Sequence, residues 1–301
     1  MEIRLHSCKK HLAIGYYLKI IRDLIRSPKN PFHALYYADL YCGDGECHVE
    51  VTDRTYKPPI IDSLLEPAKQ GKLKLFCFLN DLEAEKIKNM KEKTKEYQDY
   101  IVEYSDKDAN SYYKQVLEKI PKDQFSIFFL DPTNHSHLSW KTIQGIAKHT
   151  HTYTHQGVQV RRPELIINLM TYTLLSSYRA KSYQSINESL GTDEWFGQID
   201  DNKEKGIDAP VEQAFLSTFI KQLERIGYSV PTPIKITNTE KDNVVYFLIW
   251  ATNKQGYRII EKKVIPYIKT LMQQVQKRHK GDVKKAKARK AGNSSLSQWI
   301  E

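Results

Sequence analysis

Apolar positions recur along the chain in two rhythms. Residues 11–26 carry Leu12, Tyr16, Ile20 and Leu24 at helical spacing, and Pro28 and Pro31 end that pattern. A β-rich run follows at 34–41, then apolar runs at 73–79, 100–104, 125–130 and 164–169. A helical pattern at 83–97 separates two of them. Near-continuous apolar runs divided by helical stretches predict a parallel sheet covered on both faces. Residues 171–230 read as mainly helical and insertion-like, with Trp195 and an amphipathic run at 211–226. Runs at 234–237 and 244–252, joined by the polar turn 238–243, predict two antiparallel strands.

Five parallel strands and a late antiparallel pair outline an α/β fold, a Rossmann-like class I methyltransferase sheet of seven strands with a helical insertion. Acidic and glycine residues stand just past the C-terminal ends of the runs, where open α/β sheets bind ligands. Asp39 leads into Gly43 and Gly45, whose backbones can turn sharply and approach a ligand closely. With no third glycine, a plain tight turn is the alternative. Asp81, past the second run, can accept hydrogen bonds from two ribose hydroxyls. Asp108 and Ala109, past the third, are placed for an adenine amine. Three polar stations at three successive strand ends point to an adenosyl ligand, with solvated surface as the alternative.

Asp131, Pro132, Thr133 and Asn134 follow the fourth run. In amino-group methylation, an Asp oxygen and a backbone carbonyl such as that of Pro132 can hold a target amine toward a methyl donor. Positioning and charge stabilisation then supply most of the rate. Thr133 and Asn134 stand where a proline and a stacking aromatic would help, which leaves Trp140 or His135 to supply a ring. The alternative is an Asp-Pro turn capping the next helix. The alternating run His149, His151 and His155 is not the i, i+4 pair with a Glu between that marks a helical zinc site, so a polar loop is favoured over a metal centre. Cys42 and Cys47 read as incidental thiols beside the ligand loop.

Composition changes the picture mainly through charge. Of a net +10 over 301 residues, +7 lies in residues 277–290, with eight Lys/Arg and one Asp. This block reads as a phosphate-attracting arm for nucleic acid or as a solubilising tail. No run of about 18 apolar residues is present to span a membrane. The charged N-terminus lacks a secretory pattern, and four cysteines without CxxC spacing fit a reducing cytoplasm. The division expected is a methyltransferase-like domain over 1–276, a basic linker over 277–292 and a terminal peptide over 293–301. In that peptide Leu296, Trp299 and Ile300 can share one side of a helical turn, either as a plug for a partner's apolar pocket or folded back on the body.

As an ordered set, several stretches resemble the three-Cys-motif partner (TcmP) family. These are residues 10–45, with 36–45 as the match to its glycine loop, then 130–134 with 138–140 and 143–147. Residues 190–195, 246–252 and 256–260 complete the set, so that the likeness covers roughly 8–265. It departs at Cys42-Gly43 and Asp44 in the first loop and at Thr133 and Asn134 after Asp-Pro. The resemblance implies a class I methyltransferase-like fold and S-adenosylmethionine as donor. The tail resembles a clamp-binding peptide (PIP box), with Asn293 where a glutamine usually opens the motif. That implies a sliding clamp of the archaeal or eukaryotic (PCNA) type as partner. The function expected is S-adenosylmethionine-dependent methylation of nucleic acid. A non-catalytic binding module of the same fold is the alternative.

Overall fold

Seven of the apolar runs form one mixed sheet, ordered β10-β11-β9-β6-β1-β4-β5. The computed structural model describes residues 5–27, 32, 34–44, 47–49, 54–56, 58–154, 158–205, 210–237, 244–274 and 277. The strands are β1 (Leu35–Asp39), β2 (Cys47–Val49), β3 (Arg54–Tyr56), β4 (Leu75–Asn80), β5 (Ile101–Ser105), β6 (Phe125–Leu130), β7 (His151–Thr154), β8 (Val158–Arg161), β9 (Glu164–Leu169), β10 (Ile234–Thr237) and β11 (Val244–Ala251). β1, β4, β5, β6 and β9 run parallel, while β11 is antiparallel to both β9 and β10. This is the Rossmann-like α/β sheet that the spacing predicts. β2 with β3, and β7 with β8, form separate hairpins.

The helices are α1 (Leu5–Ile25), α2 (Glu66–Lys69), α3 (Ala84–Lys93), α4 (Ala109–Lys119), α5 (Trp140–Ala147), α6 (Thr171–Arg179), α7 (Tyr183–Leu190), α8 (Glu194–Glu204), α9 (Val211–Arg225) and α10 (Lys254–Ile259). Alternate residues of each central strand feed two cores, because successive side chains leave a strand on opposite faces. One core joins Ala38, Phe78, Phe128, Leu165 and Ile249 to α4 through α9. The other joins Tyr37, Cys77, Phe129, Ile166 and Trp250 to α1 and to the helical segment 260–274 that follows α10. Helices α6 to α9 are thus part of one sheet face, with Trp195 buried and its indole N–H donating to Asn187 Oδ1 at 2.8 Å.

Three sequence expectations change. The stripe of α1 that faces the sheet is Ala13, Ile14, Tyr17, Leu18, Ile21 and Ile25, whereas Leu24 is exposed. The predicted stripe chose the neighbouring positions because α1 is apolar around more than half its girth. The polar loop expected around His149 holds β7, an extended segment that pairs antiparallel with β8. The helix expected at 83–97 ends at Lys93, and a tight turn (Lys95–Tyr100) leads into β5. Among the described residues no helix is long and apolar enough to cross a membrane, and none form a three-residue metal cluster.

Candidate active site at the C-terminal strand ends

Parallel strands deliver their C-terminal ends to a single edge. Asp39 closes β1, Asp81 follows β4, and Asp131 follows β6, while Asn168 lies near the end of β9. Asp39, Asp131 and Asn168 continue the alternation of Tyr37, Phe129 and Ile166, so they face the α1 side. The loop after β1 is pinned to its neighbours. The Cys42 N–H donates to Asn80 O at 2.7 Å, and Asn80 Nδ2 donates to Leu40 O at 3.0 Å. Gly43 then turns with φ +66°, the left-handed region that favours glycine, and its N–H donates to Asp81 Oδ2 at 3.1 Å. The Glu83 N–H donates to Asp81 Oδ1 at 3.0 Å. Among the described residues, a side chain at Gly43 would meet no atom within 4 Å, so the loop is open on that side. Leu82, 69 % exposed beside Asp81, offers an apolar face there that composition and spacing did not flag.

Asp108 and Ala109 sit differently. Asp108 is exposed and caps α4, accepting from the Asn110 N–H at 3.2 Å, while Ala109 is buried. Their link to the loop runs through Tyr41, whose hydroxyl donates to His137 O at 2.7 Å. Asn110 Nδ2 donates to the same carbonyl at 2.9 Å. Gly45 lies outside the described residues.

On the Asp131 side, both carboxylate oxygens are engaged. Lys10 of α1 forms an ion pair with Oδ2, and Asn168 Nδ2 donates to Oδ1 at 2.7 Å. Pro132 is buried. Asn134 caps the turn His135–His137, accepting from the Ser136 N–H at 3.1 Å, so its side chain serves local structure. Neither ring proposed for stacking is free. Trp140 packs edge-to-face on Phe219 in the core. His135 is buried with Nδ1 on Thr173 Oγ1 and Nε2 on Ser185 Oγ, at 3.1 and 3.0 Å. Burial, aided by His137, lowers its pKa to about 4, so the imidazole is neutral at pH 7. Tyr172, 62 % exposed in the first turn of α6, is the aromatic ring that this edge presents instead.

Electrostatics single out Asp39. Burial pushes its pKa up to about 8, and Asp131 and Asp81 push the same way; the Tyr41 N–H and Lys10 oppose them. The Cys42 thiol is raised well above its usual range by burial and by Asp39 and Asp81, which keeps it protonated and a poor nucleophile at pH 7. A separate cavity of about 500 Å³ lies between α3 and β5, lined by Ile87, Lys91, Tyr104 and Asp106, and includes none of these carboxylates. The terminal residues Asn293, Leu296, Trp299 and Ile300, and residues 278–292 of the basic segment, lie outside the described residues.

No protein-family model and no curated protein matches the chain. Among solved structures it is similar to protein LPL1258 from Legionella pneumophila, at 10 % identity and TM-score 0.47, over 88 % of this chain and 93 % of that one. It is also similar to the DszA carbon methyltransferase, at 12 % identity and TM-score 0.41, over 79 % and 54 %. A third is the CMeT domain of the citrinin polyketide synthase, at 14 % identity and TM-score 0.41, over 79 % and 52 %. The chain spans about half the length of the last two. At such TM-scores nothing about its chemistry follows; the strand order and direction establish the Rossmann-like α/β class.

Proposed function

We propose that the chain binds S-adenosylmethionine at the β1 and β4 ends and transfers its methyl group. The observation that supports this best is the tie between Gly43 and Asp81, which sets an open left-handed turn beside a buried carboxylate. Asp81 retains lone pairs for ribose hydroxyls, since each oxygen takes a single backbone N–H. Leu82 would carry the flat face of the purine. Asp39 lies where the methionine arm would pass, and Asp108 with Ala109 would flank the adenine edge. The donor supplies an electrophilic methyl on a cationic sulfur. Asp131, oriented by Lys10 and Asn168, would align the acceptor, and positioning of this kind accounts for much of the rate in such transfers.

A ligand that binds only the folded state stabilises it by about 2.7 kcal/mol at a hundredfold excess over Kd. S-Adenosylmethionine is therefore expected to raise the melting temperature by several degrees in the wild type and not in Asp81→Ala. An unchanged melting temperature in the wild type would remove the cofactor from the account.

We propose nucleic acid as acceptor on the strength of the basic segment 277–290, and a sliding clamp as partner on the strength of the terminal peptide. A non-catalytic binding module remains the second reading, favoured by the engagement of both Asp131 oxygens and by the burial of Trp140 and His135. Labelled-methyl transfer to DNA or RNA that is lost in Asp131→Ala separates the two. Equal capture of a clamp by the full chain and by a chain ending at Gly292 would overturn the partner assignment.

A further inference from the structure

Three carboxyl groups meet at this edge, and their charges are not balanced alike. Asp131 is paired with Lys10. Asp81 has Lys86 of α3 at 3.7 Å. Asp39, only 8 % exposed, is the one with no cation at ion-pair distance among the described residues. Its acceptor bonds come from uncharged groups, the Tyr41 N–H at 3.1 Å and the Tyr37 hydroxyl at 3.5 Å. The titratable groups acting on it are Asp81, Asp131 and Lys10, with Tyr37, Cys42 and Cys77 beside them. None of the last three is charged at neutral pH, because burial raises each.

A second observation lies one side chain along the same edge. Asn168 is buried, its Nδ2 is committed to Asp131 Oδ1 and, among the described residues, its Oδ1 accepts no hydrogen bond. The amide cannot be turned round, since its oxygen would then face the Asp131 carboxylate. The edge therefore holds a buried carboxyl without a cation and a buried acceptor without a donor. Both deficits are met by a ligand that brings positive charge and N–H groups. Buried charge without a counter-charge is strongly disfavoured, so the unliganded site keeps Asp39 protonated.

Resting on the adenosyl reading above, we propose that the site takes up its cationic donor in exchange for a proton on Asp39. The α-ammonium, which supplies the N–H groups, and the α-carboxylate are common to donor and product and cancel. S-Adenosylmethionine therefore carries a net charge of +1 through its sulfonium, whereas the thioether product S-adenosylhomocysteine is net neutral. Arrival of the sulfonium ionises Asp39, and the proton passes to solvent. Loss of the methyl group removes that counter-charge, so Asp39 takes a proton back and the product is held less well at neutral pH. The exchange discriminates donor from product by charge rather than by shape.

Calorimetric titration of the full chain with S-adenosylmethionine, S-adenosylhomocysteine and sinefungin tests this. Sinefungin bears an ammonium in place of the sulfonium. Titrations in two buffers of different ionisation enthalpy at pH 7 are expected to show nearly one proton released with each cationic ligand and none with S-adenosylhomocysteine. The affinity for S-adenosylmethionine should fall about fivefold from pH 8 to pH 7, as the ionised fraction of a group titrating near pH 8 falls, while that for S-adenosylhomocysteine stays level. In Asp39→Asn the proton release and the pH dependence should both vanish. Equal proton release and pH dependence for all three ligands would overturn the exchange and leave the adenosyl site standing. Failure of all three to bind would overturn the site itself.

Discussion

Replacing Asp39 with asparagine is expected to stabilise the unliganded protein at pH 8 while removing the proton release that accompanies S-adenosylmethionine binding. The folded chain holds this carboxyl near pKa 8, above the ordinary carboxylate value of about 4 that it has when unfolded. Between those values the folded state binds the extra proton, so the contribution of Asp39 to stability falls as pH rises from about 4 to about 8. One pKa unit corresponds to about 1.4 kcal/mol, and after allowance for relaxation around a buried group the loss at pH 8 is on the order of 2–3 kcal/mol. Asparagine keeps the shape and cannot ionise. Denaturant unfolding at pH 5 and pH 8 should therefore show a variant advantage that is small at pH 5 and full at pH 8. An advantage equal at both pH values, or a variant less stable at pH 8, would contradict the burial of an unpaired carboxyl. Such a group is stability given up for binding, a trade found at functional sites.

The second large effect is expected at Gly191, far from ligand chemistry. This glycine ends α7 with φ +76°, and a Cβ there would lie 2.2 Å from Trp140 Cδ1 and 2.3 Å from Cγ. Trp140 has little room to yield, because it is buried against Phe219 with ring centroids 5.6 Å apart. Gly191→Ala combines left-handed strain with forced displacement of a core indole, a loss of about 3 kcal/mol or more. Equilibrium unfolding should show this as a lowered midpoint with a similar slope. A loss under about 1 kcal/mol would mean that the α5–α7 packing is looser than the structure has it.

The strands were legible because parallel strands buried on both faces must be apolar almost throughout, as at residues 73–79 and 125–130. Asp81 and Asp131 were legible for the related reason that each stands just past the C-terminal end of an apolar run, and Asp39 because it interrupts the run at 34–41 shortly before Gly43. Lys10 and Asn168 were not. They reach Asp131 from positions 121 and 37 residues away along the chain, and neither stands in a local motif. Register could have suggested Asn168, since Leu130 pairs with Ile167 and the next residues are Asp131 and Asn168. Asn134, Trp140 and His135 drew attention as polar or aromatic neighbours of Asp-Pro, yet a cap and two core contacts take them up. The short β2–β3 and β7–β8 hairpins left no apolar run long enough to notice.

The most direct measurement is a crystal structure of the full chain soaked with S-adenosylhomocysteine. The ribose hydroxyls are expected on the Asp81 carboxylate, the purine against Leu82 and the homocysteine arm passing Gly43 toward Asp39. Density for the ligand at another surface, or rotation of Asp39 and Asp81 into the space beside Gly43 with no ligand bound, would contradict the account.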